Sequence, residues 1–309
     1  MTMTTRRRFL MIAAAALGSG GVAAARADSG YVWQGSALGA RATLRLTHPD
    51  AERIARAVAV EIDRLETIFS LYRPQSALSR LNAAARLEAP PFELLECLTL
   101  CGAVHAATDG RFDPTVQRLW QAHAEAAAAH RPLSEGERMA ALRLTGWSGV
   151  SLTAAEVRLR PGMALTLNGI AQGYIADRIA ALLTDQGLTD ILIDTGEMRA
   201  LGHHPEGGPW PVTLSPSDQR LGLAARALAT SAPMGTVLDA TGQVGHILDP
   251  ATGRPAPALW QAVSVSSPSA ALADGLSTAA CLMPSRGAIE AALGQFDQTR
   301  LEQALSTRS

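Results

Sequence analysis

An apolar helix face that follows an alternating strand constrains the fold of this chain more than any other feature of its sequence. Residues 41–46 alternate polar and apolar side chains, as a half-buried strand does. Five apolar residues then recur at spacings of three or four, which places them on one face of a helix. They are Ile54, Val58, Ile62, Leu65 and Phe69. These residues therefore predict a strand followed by an amphipathic helix. Thr47 is the predicted helix cap, and Pro74 follows the helix end.

Further strands and helices alternate irregularly along the rest of the chain. Helices are predicted over residues 91–108, 175–187 and 270–283. Strands are predicted over residues 31–34, 164–168, 190–194 and 262–266, with a turn at 35–39. Residues 121–161 are Ala-rich and then turn-rich, and they offer no chemistry. Because neither a Rossmann nor a P-loop glycine pattern is present, the irregular alternation predicts an α+β fold.

The first 27 residues have the layout of a secretory signal. A basic segment at Arg6–Arg8 precedes a short apolar run at 11–17 and an A-x-A-like cleavage site at 25–27. The Arg pair followed by Phe and Leu is the twin-arginine form. A membrane anchor is the alternative, but the run is shorter than the roughly 20 residues that span a bilayer. We therefore expect removal of residues 1–27 and a single periplasmic domain over 28–309, with no lipid anchor because no Cys stands at the cleavage site.

Composition narrows the class of partner. The formal net charge is −1 at pH 7, and the signal segment is basic, so the remaining chain is more acidic still. This gives no electrostatic reason to bind nucleic acid. The three cysteines, Cys97, Cys101 and Cys281, lie in apolar surroundings without a C-x-x-C motif. They read as buried small hydrophobes, and pairing of Cys97 with Cys101 is the alternative in an oxidising compartment.

Seven short clusters fall on predicted turns and helix starts, where functional groups usually lie. They are FSLYRPQS at 69–76 with Asn82, GRFDPTV at 110–116, NGIAQGY at 168–174 with Asp177, TGEMRALG at 195–202, ATS at 229–231, HILDPATG at 246–253 and ADGLST at 273–278. In this order they resemble the ApbE family of FAD:protein FMN transferases, over about residues 35 to 283. The resemblance implies a T-fold-like α+β fold, in which helices pack on a mixed sheet.

Asp274 and Thr278 are a candidate pair of metal ligands. They are four residues apart near a predicted helix start, so their oxygens share one helix face. Carboxylate and hydroxyl oxygens are hard ligands of the kind that Mg²⁺ takes. Spacing alone also allows an Asp that stabilises the helix dipole beside a packed Thr. The resemblance implies Mg²⁺ binding by both, with the backbone carbonyl of Gly169 as a third ligand and Asp274 as a catalytic residue.

His246 is the second candidate catalytic residue. It precedes the apolar Ile247 and Leu248 and a turn at Asp249 and Pro250. A lone His beside apolar residues is also compatible with a core position. The resemblance implies a place next to the pyrophosphate of FAD, where His246 orients phosphate or accepts a proton from the incoming hydroxyl. Asp249 is assigned to its own turn.

The resemblance also implies a binding site for the flavin and adenine rings. Tyr72 and Phe112 offer flat apolar faces for a ring system, with core packing as the alternative. The family has Asp at the position of Thr166 and Lys or Glu at the position of Gln172. A hydroxyl binds nucleotide donors less strongly than a carboxylate. The residues implied to contact FAD are Leu38, Tyr72, Arg111, Phe112, Asp113, Thr166, Gln172 and Ile247.

The activity that the resemblance implies is Mg²⁺-dependent transfer of FMN from FAD, the substrate, to a threonine hydroxyl of an acceptor protein, with release of AMP. The implied acceptor is a periplasmic or membrane-attached flavoprotein of an electron-transfer complex. Three alternatives stay open: hydrolysis of FAD to FMN and AMP, a non-catalytic periplasmic flavin carrier, and an accessory protein that binds no flavin. The residues at Thr166 and Gln172 favour the carrier.

Overall fold

The structure is a computed structural model, and it describes residues 30–239 and 242–307. The predicted signal segment and its cleavage site lie outside the described residues. Within the described ranges, no helix combines the length and the apolar character needed to cross a membrane.

Twelve strands and eight α-helices make up the described part of the chain. The strands are β1 (Tyr31–Ala37), β2 (Ala40–Leu46), β3 (Arg86–Glu88), β4 (Val150–Leu152), β5 (Glu156–Leu159), β6 (Ile191–Asp194), β7 (Met198–Leu201), β8 (Trp210–Leu214), β9 (Gln219–Leu223), β10 (Ala227–Ser231), β11 (Trp260–Ser267) and β12 (Arg300–Ser306). The helices are α1 (Ala51–Phe69), α2 (Ala77–Ala84), α3 (Phe92–Ala107), α4 (Gln117–Ala128), α5 (Glu135–Leu142), α6 (Ala171–Asp185), α7 (Ala270–Ala280) and α8 (Arg286–Leu293).

A seven-stranded sheet with the order β1-β2-β6-β7-β10-β11-β12 lies at the centre of the fold. The prediction of an α+β fold with helices packed on a sheet is confirmed. Where the resemblance implied a mixed sheet, every pairing of these described strands is antiparallel. Two smaller sheets accompany it, β3-β5-β4 and the hairpin β8-β9.

The two faces of the central sheet carry different partners. Alternate residues of a strand point to opposite faces, and on β6 Ile191 and Ile193 join the large core under the helices. Leu192, between them, joins a second cluster with Trp210 and Val212 of the β8-β9 hairpin. Helices α1, α3, α6 and α7 therefore cover one face, and the hairpin covers part of the other.

Helices α6 and α7 cross with almost no space between them. A Cβ atom at Gly173 would collide with the backbone carbonyl oxygen of Ala270. The Asp177 carboxylate on α6 accepts hydrogen bonds from the backbone N–H groups of Ala270 at 2.9 Å and Ala271 at 3.0 Å, and from the Ser269 hydroxyl at 2.7 Å. The two N–H groups belong to the first turn of α7 and have no partner within that helix. A side chain of α6 therefore caps α7.

Residues 164–168 do not form the predicted strand. The side chain of Asn82 takes both backbone groups of Leu165, accepting from its N–H at 2.7 Å and donating to its carbonyl at 2.8 Å. The N–H of Thr166 donates to the carbonyl of Pro114 at 2.8 Å. Distant partners therefore satisfy hydrogen bonds that a strand ladder would otherwise take.

Two further local predictions need correction. The first turn spans only Leu38 and Gly39, both with positive φ, so β1 runs through Gly35 to Ala37. Positive φ at both central residues is the requirement of a type I′ hairpin turn, whose twist matches the right-handed twist of the strands. Helix α1 begins at Ala51 with Asp50, not Thr47, as its N-cap residue.

All three cysteines are free and buried. Cys97 and Cys101 lie one turn apart on α3, and Cys281 follows α7. The interpretation as buried small hydrophobes is therefore confirmed, and the Cys97–Cys101 pairing is absent. Burial raises the pKa of the Cys281 thiol to about 12.

Candidate active site

A cleft of about 370 Å³ opens where α6 and α7 approach the end of β10. The turn before α4 and the segment around residues 246–250 form its other walls. Ten of the twelve predicted site residues line this one cleft. They are Arg111, Phe112, Asp113, Thr166, Gly169, Gln172, His246, Ile247, Asp274 and Thr278.

Leu38 and Tyr72 lie outside this cleft. Leu38 occupies the β1–β2 turn, and its N–H donates to Glu66 Oε1 at 2.8 Å. Tyr72 is 54% exposed and lines a neighbouring cavity of about 480 Å³. Trp120 and Asn168 line both cavities, so the cavity that contains Tyr72 adjoins the main cleft.

Asp274 is a buried carboxylate in the second turn of α7, only 3% exposed. This corrects the alternative of a solvent-facing Asp that stabilises the helix dipole, because α7 has no acidic residue in its first turn. Its Oδ2 accepts a hydrogen bond from Gly173 N at 3.2 Å. Burial raises the pKa of Asp274 to about 7, because a charged group loses its hydration there.

Gly169 and Thr278 meet beside this carboxylate. A Cβ atom at Gly169 would lie 3.0 Å from Thr278 Oγ1 and 3.5 Å from the Phe112 ring. Thr278 Oγ1 also lies 3.3 Å from Ser231 Oγ at the end of β10. The fold thus brings the Gly169 backbone, in the turn before α6, next to the Thr278 hydroxyl on α7.

These groups fit a divalent cation such as Mg²⁺. Within the described residues, no Arg or His side chain pairs with Asp274, so its charge has no cationic partner there. A bound cation would stabilise the ionised carboxylate, which burial disfavours. The hydroxyl and the carbonyl add hard oxygen donors. The donor set therefore suits Mg²⁺ better than a softer metal.

His246 faces the same cleft with a defined tautomer. Its Nδ1 lies 3.0 Å from the backbone carbonyl oxygen of Thr236, so Nδ1 carries the proton. The ring also has a hydrogen bond with the Pro233 backbone. In the neutral ring, the nitrogen that carries no proton is the one that can accept a proton. Burial lowers the pKa of His246 below its ordinary value of 6.5, which favours this form at neutral pH. Gly245 is required here because a Cβ atom would collide with the Pro233 carbonyl.

The residues at 111–113 have different positions at the cleft wall. Phe112 is 5% exposed and packs in the core while its ring edge reaches Gly169. The Asp113 carboxylate accepts from Thr115 N at 2.8 Å, Thr115 Oγ1 at 2.5 Å and Trp147 N at 3.1 Å. Its acceptor capacity is thus used to hold the turn. Arg111 also lines the cleft.

Thr166 and Gln172 also reach the cleft. The Thr166 hydroxyl accepts from Asn168 N at 3.3 Å. The Gln172 side chain packs against Gly196, where a Cβ atom would lie 3.0 Å from both terminal atoms of the amide. Thr166 and Gln172 are therefore placed where a bound nucleotide could contact them.

The sequence analysis gave no role to Glu197. This residue lies in the turn between β6 and β7, and it lines the cleft. It lies within the cluster at 195–202, but no spacing linked it to the pair Asp274 and Thr278. The available signal was an acidic residue directly after a turn glycine at the end of a buried strand.

Comparison with known proteins gives concordant matches. Residues 38–300 match the ApbE family model. The FAD:protein FMN transferase of Chlamydia trachomatis is 30% identical over 246 residues, 75% of this chain and 76% of that protein. The FAD:protein FMN transferase of Salmonella typhimurium is 27% identical over 281 residues, 84% and 80% of the two chains. The apo form of Pseudomonas stutzeri flavinyl transferase ApbE has a TM-score of 0.74 at 27% identity, covering 85% of this chain and 88% of that one.

The central sheet, its helical layer and the cleft therefore have the fold of the solved flavin transferases. The ApbE protein of Thermotoga maritima matches with a TM-score of 0.75 at 27% identity, over 84% of this chain and 89% of that one. With most of its described length covered by the family model, the chain belongs to the ApbE family.

Proposed function

We propose that this chain is a Mg²⁺-dependent FAD:protein FMN transferase that modifies a threonine of an acceptor protein. The observation that supports this most is the meeting of Asp274, Thr278, the Gly169 backbone and His246 in one cleft. A hard-oxygen donor set beside a neutral imidazole suits transfer at a phosphate group. The family membership and the named activity of the relatives support FAD as the substrate.

The chain's own residues would divide the work as follows. Asp274, Thr278 and the Gly169 carbonyl would hold Mg²⁺, which would supply positive charge beside the FAD pyrophosphate. His246 accepts the proton of the threonine hydroxyl as its oxygen attacks the FMN-side phosphorus. A phosphoester bond to FMN forms, and the pyrophosphate bond to AMP breaks. The Phe112 ring edge forms the wall beside Gly169.

Mass spectrometry of a reaction with FAD, Mg²⁺ and a candidate electron-transfer acceptor tests the proposal. Transfer adds the mass of FMN less water to the acceptor, and replacement of the acceptor threonine with alanine should remove that mass. Asp274→Asn should abolish transfer and keep the fold, because an amide oxygen can still accept from Gly173 N. Release of free FMN in place of transfer would indicate hydrolysis. Intact FAD, with a genuine acceptor at saturating Mg²⁺, would indicate a carrier.

We further propose that the chain acts in the periplasm after export by the twin-arginine route. Arg6, Arg7 and the cleavage site at 25–27 support this. N-terminal sequencing of periplasmic protein should give a chain that starts at Asp28. Replacement of Arg6 and Arg7 with Lys should leave the precursor in the cytoplasm, whereas continued export would point to the general secretion route.

A further inference from the structure

Glu197 is a second carboxylate in the cleft that contains Asp274. It stands in the turn between β6 and β7, directly after Gly196, whose φ of 103° lets the chain turn towards the cleft. Both line the cleft, Glu197 from the turn between β6 and β7 and Asp274 from α7. The ligand set of Gly169, Asp274 and Thr278 does not include Glu197.

The structure ties Glu197 to the strand that ends beside these ligands. Glu197 Oε2 accepts a hydrogen bond from the backbone N–H of Thr230 at 3.2 Å. The next residue, Ser231, lies with its Oγ 2.7 Å from Ser277 Oγ and 3.3 Å from Thr278 Oγ1. A hydrogen-bonded chain therefore runs from Glu197 through β10 to α7, and it fixes the carboxylate beside the ligand pair.

The surroundings of Glu197 lack a balancing positive charge. Burial raises its pKa well above the ordinary value, and the negative charge of Asp274 raises it further. Within the described residues, no Arg or His side chain forms an ion pair with Glu197. A buried carboxylate, Asp274, and a partly buried one, Glu197, are unfavourable in one cleft without a cation between or beside them. The two carboxylates together would balance the charge of a divalent cation, which Asp274 alone would not.

We propose that Glu197 is the second anionic group of the divalent cation site, acting on water bound to Mg²⁺. The inference rests on the proposed function and names one further positioning residue for it. Mg²⁺ keeps several water ligands because it dehydrates reluctantly, and carboxylates beyond the direct ligands orient such waters. Glu197 would orient water bound to the ion, and Asp274 and Thr278 would bind the ion directly. The Thr230 hydrogen bond keeps its carboxylate in that position.

Metal titration of the full-length mature protein without FAD or acceptor tests this. We expect Glu197→Gln to weaken Mn²⁺ binding, read from the electron paramagnetic resonance signal of free Mn²⁺, by about 10- to 100-fold. The amide oxygen of Gln can still accept from Thr230 N, so the substitution removes charge and keeps the hydrogen bond. Competition with Mg²⁺ should show the same ratio.

Asp194→Asn is the matched control. Asp194 is another partly buried carboxylate near Glu197, with Oδ1 accepting from Gly196 N at 3.0 Å. It lines a different cavity, with Thr43, Arg45 and Trp210, and not the cleft. Its replacement should change Mn²⁺ affinity less than threefold. An equal loss in the two variants would show a general charge effect and overturn the inference.

The remaining outcomes separate this inference from the proposed function. If the wild type and Asp274→Asn bind Mn²⁺ equally weakly, the metal-dependent function fails. If Asp274→Asn loses binding while Glu197→Gln keeps it, only the role of Glu197 is wrong. If circular dichroism shows that Glu197→Gln does not fold, the Mn²⁺ titration is repeated with Glu197→Asp, which keeps the negative charge. Affinity retained by Glu197→Asp within about tenfold supports the charge requirement, and a greater loss contradicts it.

Discussion

The carboxylate of Asp177 and the backbone N–H of Ala270 join two helices that lie far apart in the sequence, at 2.9 Å. The relationship is reciprocal, because Asp274 on α7 accepts from Gly173 in the first turn of α6. Each helix supplies an acceptor for N–H groups that the other leaves free. The predicted metal ligands therefore stand on a helix pair whose crossing is fixed by hydrogen bonds at both helix starts.

Asp177→Ala should destabilise the protein by about 3 kcal/mol, because three donors lose their acceptor. Equilibrium unfolding in urea measures this loss. Asp177→Asn, which keeps one acceptor oxygen, should lose less. A change below about 0.5 kcal/mol for Asp177→Ala, the range of surface substitutions, would show that water replaces the carboxylate at this position.

Gly173→Ala should separate α6 from α7, since the new methyl group would collide with the Ala270 carbonyl. We expect a loss of about 2 kcal/mol in stability, together with weaker Mn²⁺ binding. The control is Gly136→Ala in α5, where a Cβ atom meets nothing within 4 Å. This control should gain about 0.5 kcal/mol from helix propensity. Unchanged metal binding in Gly173→Ala would mean that the ligands do not depend on the helix crossing.

The pH profile of kcat/KM should report His246. The base acts when unprotonated, so the rate falls as pH falls through its pKa. Burial lowers that pKa below 6.5, so the midpoint of the acidic limb should lie below pH 6.5. His246→Ala should abolish this limb along with most of the activity, whereas His203→Gln, an exposed His outside the cleft, should leave it unchanged. A midpoint above pH 6.5 would contradict the assignment.

Thr166→Asp should strengthen FAD binding by about tenfold, because a charge-assisted hydrogen bond replaces a neutral one. The Asp side chain can still accept from Asn168 N, as the Thr hydroxyl does. Dissociation constants from fluorescence titration of FAD measure the effect. Thr153→Asp adds the same charge in a comparable turn outside the cleft and should have no effect. Equal affinity in wild type and Thr166→Asp would show that this position does not contact the nucleotide.

The elements that sequence reasoning predicted well are those whose signal is local. Helix α1 and strands β6 and β11 follow apolar periodicity, and α1 ends at Phe69 as its pattern indicates. Residues 164–168 look equally strand-like. However, the backbone of Leu165 forms its hydrogen bonds with the Asn82 side chain, which lies 83 residues earlier in the sequence. No local pattern contains that partner.

The site shows the same division. Spacing placed Asp274 and Thr278 on one helix face, and the family motifs supplied the other cleft residues. Spacing could not show that Asp274 is buried, because the burial comes from α6 packing across its helix. Spacing also could not connect Glu197 with Asp274. Their proximity depends on β10, which is hydrogen-bonded to Glu197 at Thr230 and to α7 at Ser231.

The mutual capping of α6 and α7 has a consequence for the order of synthesis. Gly173 and Asp274 are 101 residues apart, and contacts of such long sequence separation form late because a large loop must close first. A nascent chain that ends before Ala270 lacks both Asp274 and the partner of Asp177. The half of the cleft that contains Asp274 therefore forms only after nearly the whole domain has been synthesised.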